Sequence, residues 1–270
     1  MSLIRGLLEF LLGVAGEDRV LTALVLSIFA ASLTTLGSVL VLFIRRPKEI
    51  EKSSLILDVG MAFSSGIMTV ASFTSLLLPA IELSGIMEPL LGFLVGAMSI
   101  YTLNRLIPHE HFIRGYEGPQ WGIRKLKAAW LVALAIIIHN LPEGMAIGAS
   151  TALDPREGGI VGIAIGIQDF PEGLAVALPV AIATGNRLLA VLVGAISGAS
   201  EILTSLLAVI GGVYSVDLLP FLLGFGAGAM MYVVSHEALP ESHRTGHEEN
   251  ATIGFFLGFI VMLYLDSTLG

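Results

Sequence analysis

The chain has 270 residues, of which 55% are hydrophobic and only 13% are charged, and it contains 31 glycines, 11 prolines and no cysteine. Soluble globular domains carry about 25% charged residues, so this composition excludes an ordinary soluble domain. The formal net charge of -8 makes a nucleic-acid backbone an unsuitable partner and favours cations. Without cysteine, any bound metal must be held by nitrogen, oxygen or thioether sulfur.

Long apolar stretches follow one another along the chain. A helix needs about 20 apolar residues to cross the hydrocarbon core of a membrane. Eight stretches of about that length occur, at 20–44, 57–80, 86–107, 128–152, 158–183, 188–212, 217–241 and 251–268. They predict an all-α integral membrane protein, with one eight-helix transmembrane domain over residues 20–270 and its longest loop at 108–127.

The first residues, 1–19, precede the first predicted span. Leu8 and Leu11 can share one helix face with other apolar residues, while Arg5 and Glu9 can reach lipid headgroups. This pattern predicts a short N-terminal helix that lies at the membrane interface.

Basic residues predict the orientation, because cytoplasmic loops carry an excess of Lys and Arg. With the N-terminus outside, 11 of the 14 basic residues are cytoplasmic, and only Arg5, Arg19 and Arg156 lie outside. An even number of spans then puts the C-terminus outside as well. We therefore expect a multi-pass plasma-membrane protein whose loop 108–127 is cytoplasmic.

The fourth, fifth and sixth predicted spans carry ionisable residues near their middles, where a charge costs at least about 2.5 kcal/mol on insertion scales. The fourth contains His-Asn-Leu-Pro-Glu-Gly at 139–144, the fifth contains Gln-Asp-Phe-Pro-Glu-Gly at 168–173, and the sixth contains Glu201. The shared Pro-Glu-Gly indicates an internal repeat.

Helical spacing brings the polar side chains of each copy together. His139 lies four positions before Glu143 and Asn140 lies three positions before it, so each can share a helix face with that glutamate. The second copy repeats this spacing in Gln168, Asp169 and Glu172. Each glutamate can therefore serve two adjacent sites. Since consecutive spans run antiparallel, we expect inverted-repeat symmetry with a site at the membrane midplane.

Four acidic residues lie in spans 128–152, 158–183 and 188–212, which contain no Lys or Arg. Their charge must be neutralised by protons or by bound cations, and two divalent ions would match four carboxylates. The imidazole of His139 favours Zn, Fe, Co, Ni or Cu over Ca or Mg. A set of protonated acids bonded to Ser and Thr is the structural alternative.

The second predicted span carries a stripe at helical spacing, formed by Met68, Ser72, Ser75, Pro79 and Glu82. It runs from the middle of the membrane toward its outer side. Met68 is a candidate thioether ligand, although methionine is more often a core residue.

The seventh predicted span ends in Ser-His-Glu-Ala-Leu-Pro-Glu at 235–241. A zinc-hydrolase HExxH helix would need histidine at position 240, where Pro240 stands. With the N-terminus outside, this segment approaches the cytoplasm, and the candidate exit residues are His236, Glu237, Glu241, His243 and His247. Aligning Pro79 with Pro240 puts Ser75 opposite His236, which suggests that the second and seventh spans are also related.

The segment at 139–144 resembles the HNxPEG signature of the ZIP family of divalent metal transporters, and the segment at 168–173 is similar to the family's fifth-helix partner motif. The resemblance covers essentially the whole chain, including eight spans, external termini, a basic loop before the fourth span and an H-E-x-x-P pattern that ends at Pro240. It is closest to the short prokaryotic branch of the family.

The resemblance implies a binuclear metal centre. One ion would be held by His139, Glu143, Gln168 and Glu172, with Met68 completing the set. The second would be held by Asn140, Asp169 and Glu201, with Glu143 and Glu172 as bridges. The resemblance also implies release toward the cytoplasm by His236 and Glu237, and an outer mouth near Glu82.

The predicted function is uptake of Zn(II), or of Cd, Fe or Mn, into the cytoplasm as a transported substrate, without enzymatic activity or a prosthetic group. A proton-coupled cation exchanger is one alternative, and an intramembrane metallohydrolase with Glu143 or Glu172 as general base is another. The chain has no P-loop for ATP-driven pumping. The sequence indicates neither a role for His109 and His111 nor a surface for a homodimer.

Overall fold

A computed structural model describes residues 2–44, 47–111, 115–118 and 128–270. Two of the basic residues used to predict orientation, at 45–46, and most of the loop 108–127 lie outside these described residues. The side chain of His111 is also outside them.

The described residues are almost entirely helical, as the apolar stretches predicted. The helices are α1 Ser2–Ala15, α2 Arg19–Val39, α3 Pro47–Ala71, α4 Leu78–Ser84, α5 Met87–Leu106, α6 Ala128–Leu153, α7 Pro155–Thr184, α8 Arg187–Tyr214, α9 Leu219–Val233, α10 Leu239–Ser242 and α11 Glu248–Leu269. A helix therefore covers most of each of the eight predicted spans.

Six helical stretches among the described residues are long and apolar enough to cross a membrane. They are Arg19–Leu42, Leu55–Ser84, Pro155–Thr184, Arg187–Tyr214, Val216–Ser242 and Glu248–Leu269. Helices α5 and α6, with 20 and 26 residues, occupy the third and fourth predicted spans. The chain is a helical multi-pass membrane protein, while the count of eight spans stays a prediction.

Two helices widen into π-helical segments just before a proline. The segment Ser72–Leu77 joins α3 to α4, and the segment Val234–Ala238 joins α9 to α10. Pro79 and Pro240 are the second residues of α4 and α10. Because proline has no N–H, the carbonyl four residues before it loses its helical partner, and a wider turn accommodates this. The shared interruption supports the predicted relation between these two spans.

The long helices pack in two groups. Helices α2 and α6 both pack against α7 and α8, while α3 packs against α11 and α5 packs against α9. Glycines bring the backbones of each group close together. A Cβ on Gly37 would lie 1.9 Å from the carbonyl oxygen of Phe170, and one on Gly258 would lie 1.9 Å from that of Phe63. The groups meet mainly where α3 contacts α7 and where α9 contacts α6.

Helix α1 uses the predicted apolar face, but that face packs against protein. Leu8 and Leu11 are buried, and α1 contacts α2 and α7. The helix ends at Ala15, and Asp18 caps α2 by accepting hydrogen bonds from the N–H groups of residues 20 and 21. The membrane-interface location of this segment stays a prediction.

The predicted loop 108–127 contains secondary structure that the sequence analysis did not predict. Strand β1, His109–His111, pairs antiparallel with strand β2, Gly115–Glu117, and His109 lies opposite Glu117. This short hairpin follows the end of α5.

Candidate metal centre

The middles of α6 and α7 bring three carboxylates together. One carboxylate oxygen from each of Glu143, Asp169 and Glu172 lies within 4.8 Å of the other two. Both helices contain an internal proline, Pro142 in α6 and Pro171 in α7, one residue before the glutamate. Three of the predicted ligand residues therefore lie close together across two helices.

Two side-chain amides connect carboxylates across the helices. Gln168 of α7 donates from Nε2 to Oε1 of Glu143 on α6, at 2.6 Å. Asn140 of α6 donates from Nδ2 to Oε1 of Glu201 on α8, also at 2.6 Å. Thr34 of α2 adds a hydroxyl 3.4 Å from the same oxygen of Glu201. Each amide thus bonds to an acidic residue on another helix.

Four other carboxylate oxygens in and beside this cluster are buried without a hydrogen bond from an amide, hydroxyl or imidazole group of the described residues. They are Oε2 of Glu143, Oε2 of Glu201 and both carboxylate oxygens of Asp169. A buried oxygen of this kind needs a proton or a cation, because burial removes its water without replacing it. The middles of α6, α7 and α8 offer no Lys or Arg, since Arg156 and Arg187 lie at helix ends.

His139 connects this cluster to the second helix group. Its Nδ1 lies 2.9 Å from Oε2 of Glu237, whose Oε1 accepts a hydrogen bond of 2.6 Å from Nδ2 of Asn104. If Nδ1 carries the ring proton and donates it to Glu237, Nε2 keeps the lone pair that a metal needs. The Glu237 side chain is 1% exposed, so little water competes for these bonds.

Met68 is fully buried on α3. It lies one turn after Ser64, whose hydroxyl contacts α7 beside the cluster. In the π-helical segment that follows α3, Ser75 donates to Oδ1 of Asp266 on α11, at 3.1 Å. Glu82, the predicted residue of the outer mouth, is exposed in α4.

The predicted exit residues do not form one cluster. His236 and Glu237 follow each other in the π-helical segment, and Glu241 is buried in α10. His243 instead bonds within its own turn, with Nδ1 3.0 Å from the carbonyl oxygen of Leu239. The ring of His247 lies 2.7 Å from Oδ2 of Asp58 on α3, away from the predicted route.

A cavity of about 590 Å³ lies beside the ends of α5 and α9. It is lined by Tyr101, Asn104, Arg105, Glu117, Gly118, Tyr232 and His236. Oε2 of Glu117 is 3.8 Å from Nε2 of His109 and 3.9 Å from Nε2 of His236, so the hairpin borders this cavity. His109 is fully buried, with Nδ1 2.7 Å from the carbonyl oxygen of Ile107.

Four buried polar residues near these sites were missed by the sequence analysis: Thr34, Asp58, Ser64 and Asn104. Asp58 carried a usable signal, since it is an acid just inside the second predicted span. The other three are uncharged, and such side chains usually satisfy their own helix backbone. Their partners on other helices are visible only in the folded chain.

The family is decided by comparison with known proteins. A family profile described as ZIP zinc transporter matches residues 120–266, more than half of the chain. The chain is also 40% identical over 254 residues to the zinc transporter ZIPB of Bordetella bronchiseptica. The aligned region covers 90% of this chain and 79% of that protein. This chain belongs to the ZIP family.

Two further relatives extend the similarity over almost their whole lengths. The zinc transporter GufA of Myxococcus xanthus is 38% identical over 259 residues, 92% of this ZIP chain and 98% of that protein. The zinc transporter ZupT of Salmonella newport is 32% identical over 247 residues, 88% and 93% of the two chains. The family predicted from the two Pro-Glu-Gly segments is confirmed, and so is the prediction that the chain is a transporter rather than an enzyme.

Proposed function

We propose that this ZIP chain moves Zn(II), or a similar divalent metal such as Cd, Fe or Mn, into the cytoplasm through a binuclear site. The observation that carries the proposal is the cluster of Glu143, Asp169 and Glu172, whose oxygens lie within 4.8 Å of one another. Oε2 of Glu143 and both carboxylate oxygens of Asp169 accept no hydrogen bond from an amide, hydroxyl or imidazole group of the described residues, as expected of a site that receives a cation.

The ligands divide into two sets in this proposal. The first ion is held by Met68, His139, Glu143, Gln168 and Glu172. The second is held by Asn140, Glu143, Asp169, Glu172 and Glu201. Imidazole and thioether in the first set favour a transition metal over Ca or Mg, whereas the second set offers only amide and carboxylate groups. The two amides already contact Glu143 and Glu201, so an ion has to replace or share those bonds.

The proposed route enters near Glu82 and passes Ser75 and Asp266, which are hydrogen-bonded to each other. It leaves the centre from His139 to Glu237 and then to the cavity that His236 lines. Glu241 and His243 extend the proposed exit. This direction follows from the positive-inside orientation, which puts both termini outside and the loop 108–127 in the cytoplasm of a plasma-membrane protein.

We further propose that α5 and α6 complete eight spans with inverted-repeat symmetry. The matching π-helical segments before Pro79 and Pro240 support this relation between the second and seventh spans. The tight glycine contacts within each helix group support transport by rigid-body motion of α2, α6, α7 and α8 against the other group.

The test is metal flux into proteoliposomes that contain a metal-sensitive dye, with Zn, Cd, Mn and Fe offered in turn. His139→Ala and Glu172→Ala should each abolish most of the Zn flux, because each removes a ligand from the first set. Glu88→Gln, which changes an exposed carboxylate of α5, should keep the flux of the unaltered chain.

Two results would contradict the proposed function. If the unaltered chain moves no divalent metal but dissipates a proton gradient, the cation-exchanger alternative replaces the proposal. If the unaltered chain moves Zn and both ligand variants match it, transport occurs but this centre is not its route.

A further inference from the structure

Ser64 differs from the other hydroxyl residues of α3 and of the π-helical segment after it in the group that accepts its hydrogen bond. Ser65, Thr69, Ser72 and Thr74 each donate to the carbonyl oxygen one turn earlier in their own helix. Ser64 instead donates to the carbonyl oxygen of Gln168 on α7, at 3.3 Å, one turn before Glu172. Its side chain is fully buried, so water does not satisfy it.

The backbones of α3 and α7 approach closely at this level. Gly60, one turn before Ser64, faces the ring of Pro171, and a Cβ on Gly60 would lie 2.6 Å from the Cβ of that proline. Only the small residue at position 60 permits this approach. The approach in turn lets the short side chain of Ser64 reach the turn of α7 that contains Glu172.

We propose that Ser64 is a positioning residue for the metal centre, because it holds, from the opposite helix group, the turn of α7 between Gln168 and Glu172. The inference rests on the proposed transport function and adds to it a residue outside the assigned ligand sets. Because Met68 lies one turn further along the same face of α3, this helix offers the centre one proposed ligand and one hydroxyl that orients another ligand.

In the absence of Ser64, the turn of α7 between Gln168 and Glu172 loses its hydrogen bond to α3, and the binding of an ion must then order the Glu172 carboxylate. Such ordering lowers metal affinity without removing any ligand atom. A hydrogen bond of ordinary strength corresponds to an affinity loss of about three- to tenfold.

The experiment measures Zn(II) affinity of the purified full chain in detergent, by competition with a chromophoric chelator. Ser64→Ala should raise the dissociation constant about three- to tenfold. Ser65→Ala is the matched control, since it removes an equally buried hydroxyl that bonds only to its own helix. The control should keep the affinity of the unaltered chain, and thermal melting of every variant reports its folding.

A second background tests whether Ser64 acts through Glu172. In Glu172→Gln protein, adding Ser64→Ala should change Zn(II) affinity by less than it does in the unaltered chain. An equal loss in both backgrounds would overturn the inference, as would a lower melting temperature with unchanged affinity in Ser64→Ala alone. If the unaltered chain binds no Zn(II), the proposed function fails and this inference fails with it.

Discussion

Replacing Glu237 should weaken metal binding although Glu237 is not a proposed ligand of the binuclear centre. Its carboxylate contacts His139 at 2.9 Å and accepts from Asn104 at 2.6 Å. With the ring proton on Nδ1, the bond from His139 to Glu237 fixes the ring and leaves the lone pair of Nε2 for the metal. A hydrogen bond to a charged group is worth about 1.5–3 kcal/mol, which corresponds to about 10–150-fold in affinity. Loss of a histidine's outer partner typically costs about 10–100-fold in metal affinity.

We therefore expect Glu237→Ala to raise the Zn(II) dissociation constant of the purified chain about 10–100-fold. Glu237→Gln should lose less, because its amide oxygen can still accept from one of the two donors. Glu248→Ala, which changes an exposed carboxylate at the start of α11, is the control. Unchanged affinity in Glu237→Ala would refute the reasoning that this bond orients His139.

Three other changes test packing, capping and orientation. Gly37→Ala should prevent stable folding, because the added Cβ would lie 1.9 Å from a carbonyl oxygen of α7. Gly13→Ala is the control and should melt like the unaltered chain, because no atom lies within 4 Å of a Cβ at that position. Asp154→Ala should lower the stability of α7 by about 1 kcal/mol, measured by denaturant unfolding, because Asp154 caps that helix. The chain has no cysteine, so a single introduced cysteine is the only thiol that a maleimide can label. In intact cells, an impermeant maleimide should label Glu88→Cys, which is outside in the proposed orientation, and should not label Arg244→Cys. The reverse result would contradict the proposed orientation.

Hydropathy located the helices well because long helices in a membrane are selected by length and apolar content. The structure has a helix at Arg187–Tyr214 where the span 188–212 was predicted, and one at Glu248–Leu269 where the span 251–268 was predicted. The helical spacing within each Pro-Glu-Gly segment also predicted that its glutamate would lie with its polar neighbours. Such local features depend on helix geometry alone, which a sequence specifies directly.

The features that sequence did not predict depend on contacts between distant segments. The π-helical turns before Pro79 and Pro240 follow from local chemistry, but whether a proline kinks, breaks or widens a helix depends on what packs around it. Asn104 bonds to a residue 133 positions away, and nothing in its neighbourhood marks that partner. The strands His109–His111 and Gly115–Glu117 are only three residues long and show no alternating apolar pattern.

The two repeat copies share their spacing and Pro-Glu-Gly but differ in their first two side chains, which are His-Asn in one and Gln-Asp in the other. The first of these side chains bonds to a different part of the protein in each copy. Gln168 donates to Glu143 inside the cluster. Its counterpart in the first copy, His139, instead contacts Glu237, and Glu237 contacts Asn104 at the cavity. Within the described residues, the first copy therefore connects a proposed ligand to polar groups that line the cavity. In the proposed orientation this connection points to the cytoplasm, so the histidine that favours a transition metal would also lie on the side where the proposed route releases that metal.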